Sequence, residues 1–178
     1  MKMQNQRTAY GKTLVELGRE NERIVVLDAD LSKSTMTCLF EQEFPDRYFE
    51  MGIAEADMIS FAAGLSLTDR IAFVNSFAVF STGRPYDQIR QGVAIGKLNV
   101  KIIGSSAGLS DFGDGATHQS VEDVAIMRAI PNMTVLVPCD AIETVKAVRA
   151  AVEYNGPVYI RICRNDVPDI FPEDEEFV

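Results

Sequence analysis

The sequence predicts one α/β domain, a doubly wound and mostly parallel sheet with helices on both faces. Three observations carry that expectation. Helix-like and strand-like segments alternate along 178 residues without repeats or low-complexity tracts. The strand-like segments are near-continuous apolar and β-branched runs, as strands covered on both faces require. Charged, aromatic and glycine residues gather directly after those runs, where open parallel sheets collect their ligands.

In chain order, residues 8–19 read as the first helix and Ile24-Val25-Val26-Leu27 as the first strand. Tyr48-Phe49 is a short apolar piece ahead of a helix over 56–67, in which Met58, Phe61, Ala62 and Leu65 repeat at the three-then-four spacing of one helix face. A strand over 71–74, a helix over 84–95 and a strand over 100–103 follow. The remaining elements are a helix over 121–129, a strand over 134–137, a helix over 141–153 and a strand over 158–162. Beyond Ile162 the composition shifts to Pro168, Pro172 and an acidic run over 173–176, which reads as a linker. The domain is therefore placed at 1–166, with an acidic, Pro-containing linker or tail at 167–178 to which further polypeptide can be attached.

Composition excludes several functions. The formal net charge is −9 and there is no dense Lys/Arg run, which argues against nucleic acid, whose phosphates need a basic surface. A hydrophobic content of 47% supports a globular core, while the absence of a signal-peptide core or a membrane-length apolar run makes the cytoplasm the expected location, with no membrane role. Cys38, Cys139 and Cys163 are odd in number and widely spaced, so they read as packing thiols rather than a disulfide framework or zinc site. With one histidine, the chain offers no multi-histidine metal site.

The candidate functional residues all follow strands. Asp28 and Asp30 come after 24–27, Glu55 after Tyr48-Phe49, Phe77 and Phe80 after 71–74, Asp111 to His118 after 100–103, and Arg164 after 158–162. Glu55 falls in the first turn of an apolar helix with little water around it. A carboxyl group there suits proton or hydrogen-bond exchange with a ring nitrogen, although a first-turn acid also complements the helix dipole. Phe73 reads as core, whereas Phe77 and Phe80 could form a wall for a flat heteroaromatic ring. The stretch from Gly104 to Gln119 lacks the Walker lysine and the Rossmann spacing, so its glycines serve close ligand approach rather than a phosphate cradle. His118, at its end, reads as a substrate contact ahead of a structural histidine, the commoner role of a lone histidine, because it stands in a Gly/Asp loop at the sheet's carboxyl edge. Arg84 and Asp87-Gln88-Ile89-Arg90 read either as a solvated face or as a surface packed on another subunit.

Four motifs in order now resemble the pyrimidine-binding domain of transketolase, over almost the whole chain. They are Ala29-Asp30-Leu31, Gly52-Ile53-Ala54-Glu55-Ala56-Asp57-Met58, Phe77-Ala78-Val79-Phe80 with Arg84 and Asp87-Gln88-Ile89-Arg90, and Asp114-Gly115-Ala116-Thr117-His118-Gln119. The segment from Ile130 to Asp140 is similar to both transketolase and 1-deoxyxylulose-5-phosphate synthase and does not separate them. The resemblance implies a thiamine diphosphate site shared with a separate pyrophosphate-binding chain or domain, through which Mg2+ or Ca2+ would be supplied. Glu55 would hydrogen-bond the aminopyrimidine ring nitrogen and favour the imino tautomer. Phe77 and Phe80 would stack on that ring, and Asp30 would approach the cofactor near the subunit boundary. Asp114 and His118 would contact sugar hydroxyls and the carbonyl region, and Arg7, Ser34 and Arg164 match positions around a substrate phosphate. The implied reaction transfers a two-carbon ketol unit between sugar phosphates in a homodimer or heterotetramer.

The chain departs from the family pattern in two ways. The family's pyrophosphate-and-metal motif is missing, since Gly113-Asp114-Gly115 belongs to the Thr-His-Gln loop, and the usual third domain is missing too. The chain thus reads as part of a split transketolase, or an excised portion of one, inactive in isolation. Ser106 stands where transketolases commonly place a phosphate-contacting histidine, which leaves the preferred sugar phosphate open. Another thiamine-dependent enzyme component, such as one like 1-deoxyxylulose-5-phosphate synthase, and a non-catalytic assembly subunit are the alternatives.

Overall fold

The computed structural model describes residues 2–174. Strand β1 (Met3–Asn5) leads into helix α1 (Gln6–Glu20), whose exposed first amides are satisfied by the Asn5 side chain, which accepts from Arg7 and Thr8. There follow β2 (Ile24–Asp28), α2 (Ser32–Thr35), α3 (Cys38–Glu43), β3 (Tyr48–Glu50) and α4 (Glu55–Ser66). Next come β4 (Ile71–Phe77), α5 (Ala78–Gly83), α6 (Tyr86–Gln88) with a π-helical continuation over Ile89–Ala94, and β5 (Val100–Ser105). The chain continues through α7 (Asp123–Arg128), β6 (Thr134–Leu136), α8 (Ala141–Glu153), β7 (Val158–Arg161) and β8 (Asp166–Pro168).

Six strands form one parallel sheet in the order β3-β2-β4-β5-β7-β6. Side chains alternate between its faces. Val25, Leu27, Ala72, Val74 and Ile102 point to one core with Met58, Ile59, Ile89 and Val93. Ile24, Val26, Ile71, Phe73 and Ile103 point to the other with Tyr10, Leu14, Phe40 and Val148. Burial on both sides explains why the strands read as unbroken apolar runs. From β2 the chain winds outward to β3, then returns to β4 and proceeds the other way. The reversal opens a crevice at the carboxyl ends of β2 and β4, the position where such sheets bind ligands. Asp28 and Asn75 are register partners there. Asn75 braces the crevice, donating to Leu27 O and Phe73 O and accepting from the Tyr10 hydroxyl.

Several local expectations are corrected. β4 runs to Phe77, so this ring ends a strand instead of lying beyond it. The helix expected over 84–95 begins at Tyr86 and runs on as a π-helix over Ile89–Ala94, because Arg84 and Pro85 form the turn that separates it from α5, a short helix that the sequence pattern did not predict. On α4 the buried face is Met58, Ile59, Ala62 and Ala63, while Phe61 lies half out against Phe49 at 5.5 Å between ring centroids. Cys139 is exposed rather than packed. Gly104 is needed for close approach, since the Tyr159 ring occupies the space a β-carbon would take.

The compositional boundary after residue 166 falls inside β8. This strand pairs antiparallel with β1, and the Asp140 carboxylate accepts from the amides of Ile170 and Phe171, so residues 167–171 are tied to the domain. A two-stranded ribbon therefore interrupts the expected strand-helix order. The end of the acidic run, residues 175–176, lies outside the described residues.

Candidate active site

Glu55 opens α4 and is buried, with 3% of its surface exposed. Its Oε1 accepts from Arg84 Nη1 at 2.7 Å. Arg84 leaves the end of α5, half-exposed, and lays its guanidinium on the Phe80 ring, with Cζ 4.2 Å from the centroid. Phe80 lies near-parallel to Phe77, at 6.2 Å between centroids and 18° between planes. The His118 imidazole stands edgewise to both, 5.1 Å from Phe80 and 6.1 Å from Phe77. Its Nδ1 pairs with Thr117 Oγ1 at 2.9 Å. A helix start, a strand end, a short helix and a Gly-rich loop thus converge on one wall that carries a carboxylate, two aromatic faces and an imidazole.

A cationic group adjoins this wall. The Arg164 guanidinium lies 5.8 Å from the Phe77 ring centroid, and its Nη1 donates to both Asp111 oxygens at 3.0 Å and to Asp114 Oδ2 at 3.5 Å. Burial, and then the neighbouring Asp114, push the Asp111 pKa up against the opposing pull of Arg164. Arg7 Nη1 donates to Ser34 O at 2.8 Å, and its Nε is buried without a partner. Burial, followed by repulsion from Arg164, lowers the Arg7 pKa. Two guanidinium groups close enough to repel one another, one with an idle donor, form a site that an anion such as a phosphate would relieve. Ser106 is held beside this loop at φ 53° with its hydroxyl buried and unpartnered.

Asp28, at the end of β2, is fully buried and accepts from Leu31 N, Thr35 Oγ1 and Thr37 Oγ1. It pins the connection that carries Asp30 and Ser34. Asp30 adopts φ 61° and its amide donates to Glu50 Oε1, which also accepts from Gly52 N. Glu50 therefore ties the Asp30 turn to the loop leading into Glu55.

The structure brings Glu55, Phe77, Phe80 and His118 together, and sets Arg7, Ser34, Asp114 and Arg164 beside them. Asp30 stays apart, exposed, with no side-chain contact to the aromatic wall among the described residues. Sequence reasoning missed the pairing of Arg84 with Glu55, because residues 29 apart give no local signal of contact. It also missed Asp111 as the buried partner of Arg164, although an acid in a Gly-rich loop at the sheet's carboxyl edge was a usable hint.

A flat heterocycle with a basic ring nitrogen fits the wall. Glu55 Oε2 takes no hydrogen bond among the described residues, and Arg84 links the carboxylate to the face of Phe80, which is stacked near Phe77. For a diphosphate and its metal, no cluster of three or more His, Cys, Asp and Glu side chains among the described residues is placed to hold a cation.

Residues 2–169 match the transketolase pyrimidine-binding domain family. A putative transketolase C-terminal section from Methanocaldococcus jannaschii is 52% identical over 170 residues, covering 96% of this chain and 54% of that protein. Mouse transketolase is 41% identical over 172 residues, covering 96% and 27%. A split gene transketolase solved as an inactive beta4 tetramer superposes with a TM-score of 0.86 at 51% identity, covering 98% of this chain and 55% of that one. Transketolase from Campylobacter jejuni gives 0.86 at 26% identity, covering 93% and 26%. The chain thus spans about half the length, or less, of these relatives.

Proposed function

The chain belongs to the transketolase pyrimidine-binding domain family, and from that premise we propose that it supplies the aminopyrimidine half of a thiamine diphosphate site in a transketolase. The reaction is transfer of a two-carbon ketol unit from a ketose phosphate to an aldose phosphate. The observation that carries this reading is the buried Glu55 carboxylate joined through Arg84 to the face of Phe80, with Phe77 near-parallel to that ring and His118 edgewise to both.

When bound, the cofactor supplies an electron sink for breaking and making the carbon–carbon bond. The chain's own residues do the rest. Glu55 holds a proton or hydrogen bond at the ring nitrogen, in a site dry enough to strengthen it. Phe77 and Phe80 fix the plane of the ring. His118 and Asp114 orient the hydroxyls and carbonyl of the sugar, and Arg7, Ser34 and Arg164 hold its phosphate. Asp30 meets the cofactor near a subunit boundary.

The pyrophosphate and its Mg2+ or Ca2+ are held by a separate pyrophosphate-binding chain or domain, so the isolated chain is inactive, and the working assembly is a homodimer or heterotetramer. No helix among the described residues is long and apolar enough to cross a membrane, which supports a cytoplasmic location.

The test is reconstitution with a pyrophosphate-binding chain and measurement of hydrogen exchange at cofactor C2 by NMR after acid quench. Glu55→Gln keeps size and removes the titrating group, so exchange is expected to slow by about 100-fold or more, the scale for a positioned acid–base group. His118→Ala is expected to lower turnover while exchange continues, because sugar contacts act later. Exchange at the wild-type rate in Glu55→Gln would remove the carboxylate from this role.

A further inference from the structure

We propose that Arg84 is a latch which, in the free chain, occupies the place of the incoming ring, capping Glu55 and the Phe80 face, and which must swing out before a flat heterocycle can bind. The proposal rests on the reading of the site given above and adds to it a competition built into the chain.

The two contacts assigned to the heterocycle are a hydrogen bond to Glu55 and a stack on the aromatic pair. Arg84 makes both kinds. Its Nη1 lies 2.7 Å from Glu55 Oε1, and its Cζ lies 4.2 Å from the centroid of Phe80. A guanidinium is itself flat, delocalised and rich in N–H donors, so it resembles a protonated aminopyrimidine in shape, charge and hydrogen bonding.

The two partners of the ion pair differ in how easily they separate. The Arg84 side chain is 49% exposed, so its charge regains water readily on leaving. The Glu55 side chain is 4% exposed and would be left as an unpaired buried carboxylate. A partner on Glu55 is therefore favoured, and either the guanidinium or a ligand ring can be that partner.

The local backbone permits the exchange. Arg84 sits in the break between α5 and α6, after Gly83, around whose α-carbon there is open space, and before Pro85. Moving the side chain unwinds neither helix. A residue fixed in the site for good would more naturally come from inside an element, with its own head group buried.

The probe is 4-amino-2,5-dimethylpyrimidine, titrated by NMR into the isotope-labelled chain. In wild type, binding is expected to shift Phe77, Phe80 and His118 and to move the Arg84 Nε resonance toward its solvent-exposed value. Arg84→Met is expected to bind the probe about tenfold more tightly, the size expected on removing a competing exposed cation–π contact and a half-exposed ion pair. Arg84→Lys, which keeps the charge but not the flat fork, should fall between them and covers the case in which the Met variant folds poorly. Equal or weaker binding by both variants, or an unmoved Arg84 resonance at saturation, would overturn the latch. Glu55→Gln separates the two levels of the argument. Probe binding that ignores this substitution in every variant, or no binding by any of them, sinks the reading of the site and the latch together, whereas Glu55-dependent binding without a gain in Arg84→Met sinks the latch alone.

Discussion

Replacing Asp28 with asparagine should change how the stability of the chain depends on pH. The Asp28 carboxyl is fully buried, and burial pushes its pKa up from 3.8 to about 6, outweighing the donors from Leu31, Thr35 and Thr37, with the nearby Glu50 charge adding to the rise. A raised carboxyl pKa means the folded chain holds the proton more tightly than the unfolded chain does. Between about pH 3.8 and about pH 6 the unfolded state has released a proton that the folded state keeps, so stability falls as pH rises through that window and is flat in this respect above it. At about 1.4 kcal/mol for each pH unit, the window amounts to about 3 kcal/mol. The amide that replaces the carboxyl in Asp28→Asn cannot titrate. In urea unfolding at pH 4 and pH 7, the wild type should lose about 2 kcal/mol more between the two than Asp28→Asn does, somewhat less than the full window because the unfolded carboxyl is already partly ionised at pH 4. Equal pH dependence in the two proteins would refute the argument that burial governs this carboxyl.

Two further outcomes are expected. Gly104→Ala would drive a β-carbon to 2.7 Å from Tyr159 Cε2, and that buried ring cannot retreat without giving up the bond from its hydroxyl to Asp123. The cost should be about 3 kcal/mol from overpacking and a weakened bond to a charged acceptor, read as a drop in Tm, and an unchanged Tm would show that the ring moves freely. The chain should also self-associate through the exposed carboxyl edge and the segment from Asp87 to Arg90. Sedimentation that shows only monomer at high micromolar concentration, alone and with a pyrophosphate-binding chain, would count against this surface.

The sheet was legible because its strands are buried on both faces and carry a signal in every residue, as in Ile24 to Leu27 and Ile71 to Val74. The gathering of the candidate residues was legible because a parallel sheet directs its loops to one edge, which brings Glu55, Phe77 and His118 to one wall whatever their spacing. The short helix Ala78–Gly83 was missed because six residues between a strand end and Pro85 are too few to show a helical period of their own. The β1–β8 ribbon was missed because a three-residue strand at each end carries no pattern of its own and exists only through long-range pairing. The Arg84–Glu55 and Arg164–Asp111 contacts depend on side-chain reach across loops, which residue order does not encode.

The antiparallel pairing of Met3–Asn5 with Asp166–Pro168 also bears on how this domain can be joined to others. Entry and exit of the backbone lie side by side on one rim, reinforced by Gln4 on Asp169 and by Asp140 on residues 170 and 171. A body whose two leads emerge together behaves as a plug-in module. It can be spliced into the middle of a longer polypeptide or placed ahead of another domain without rerouting any strand, because the paired β1 and β8 hold the two leads together.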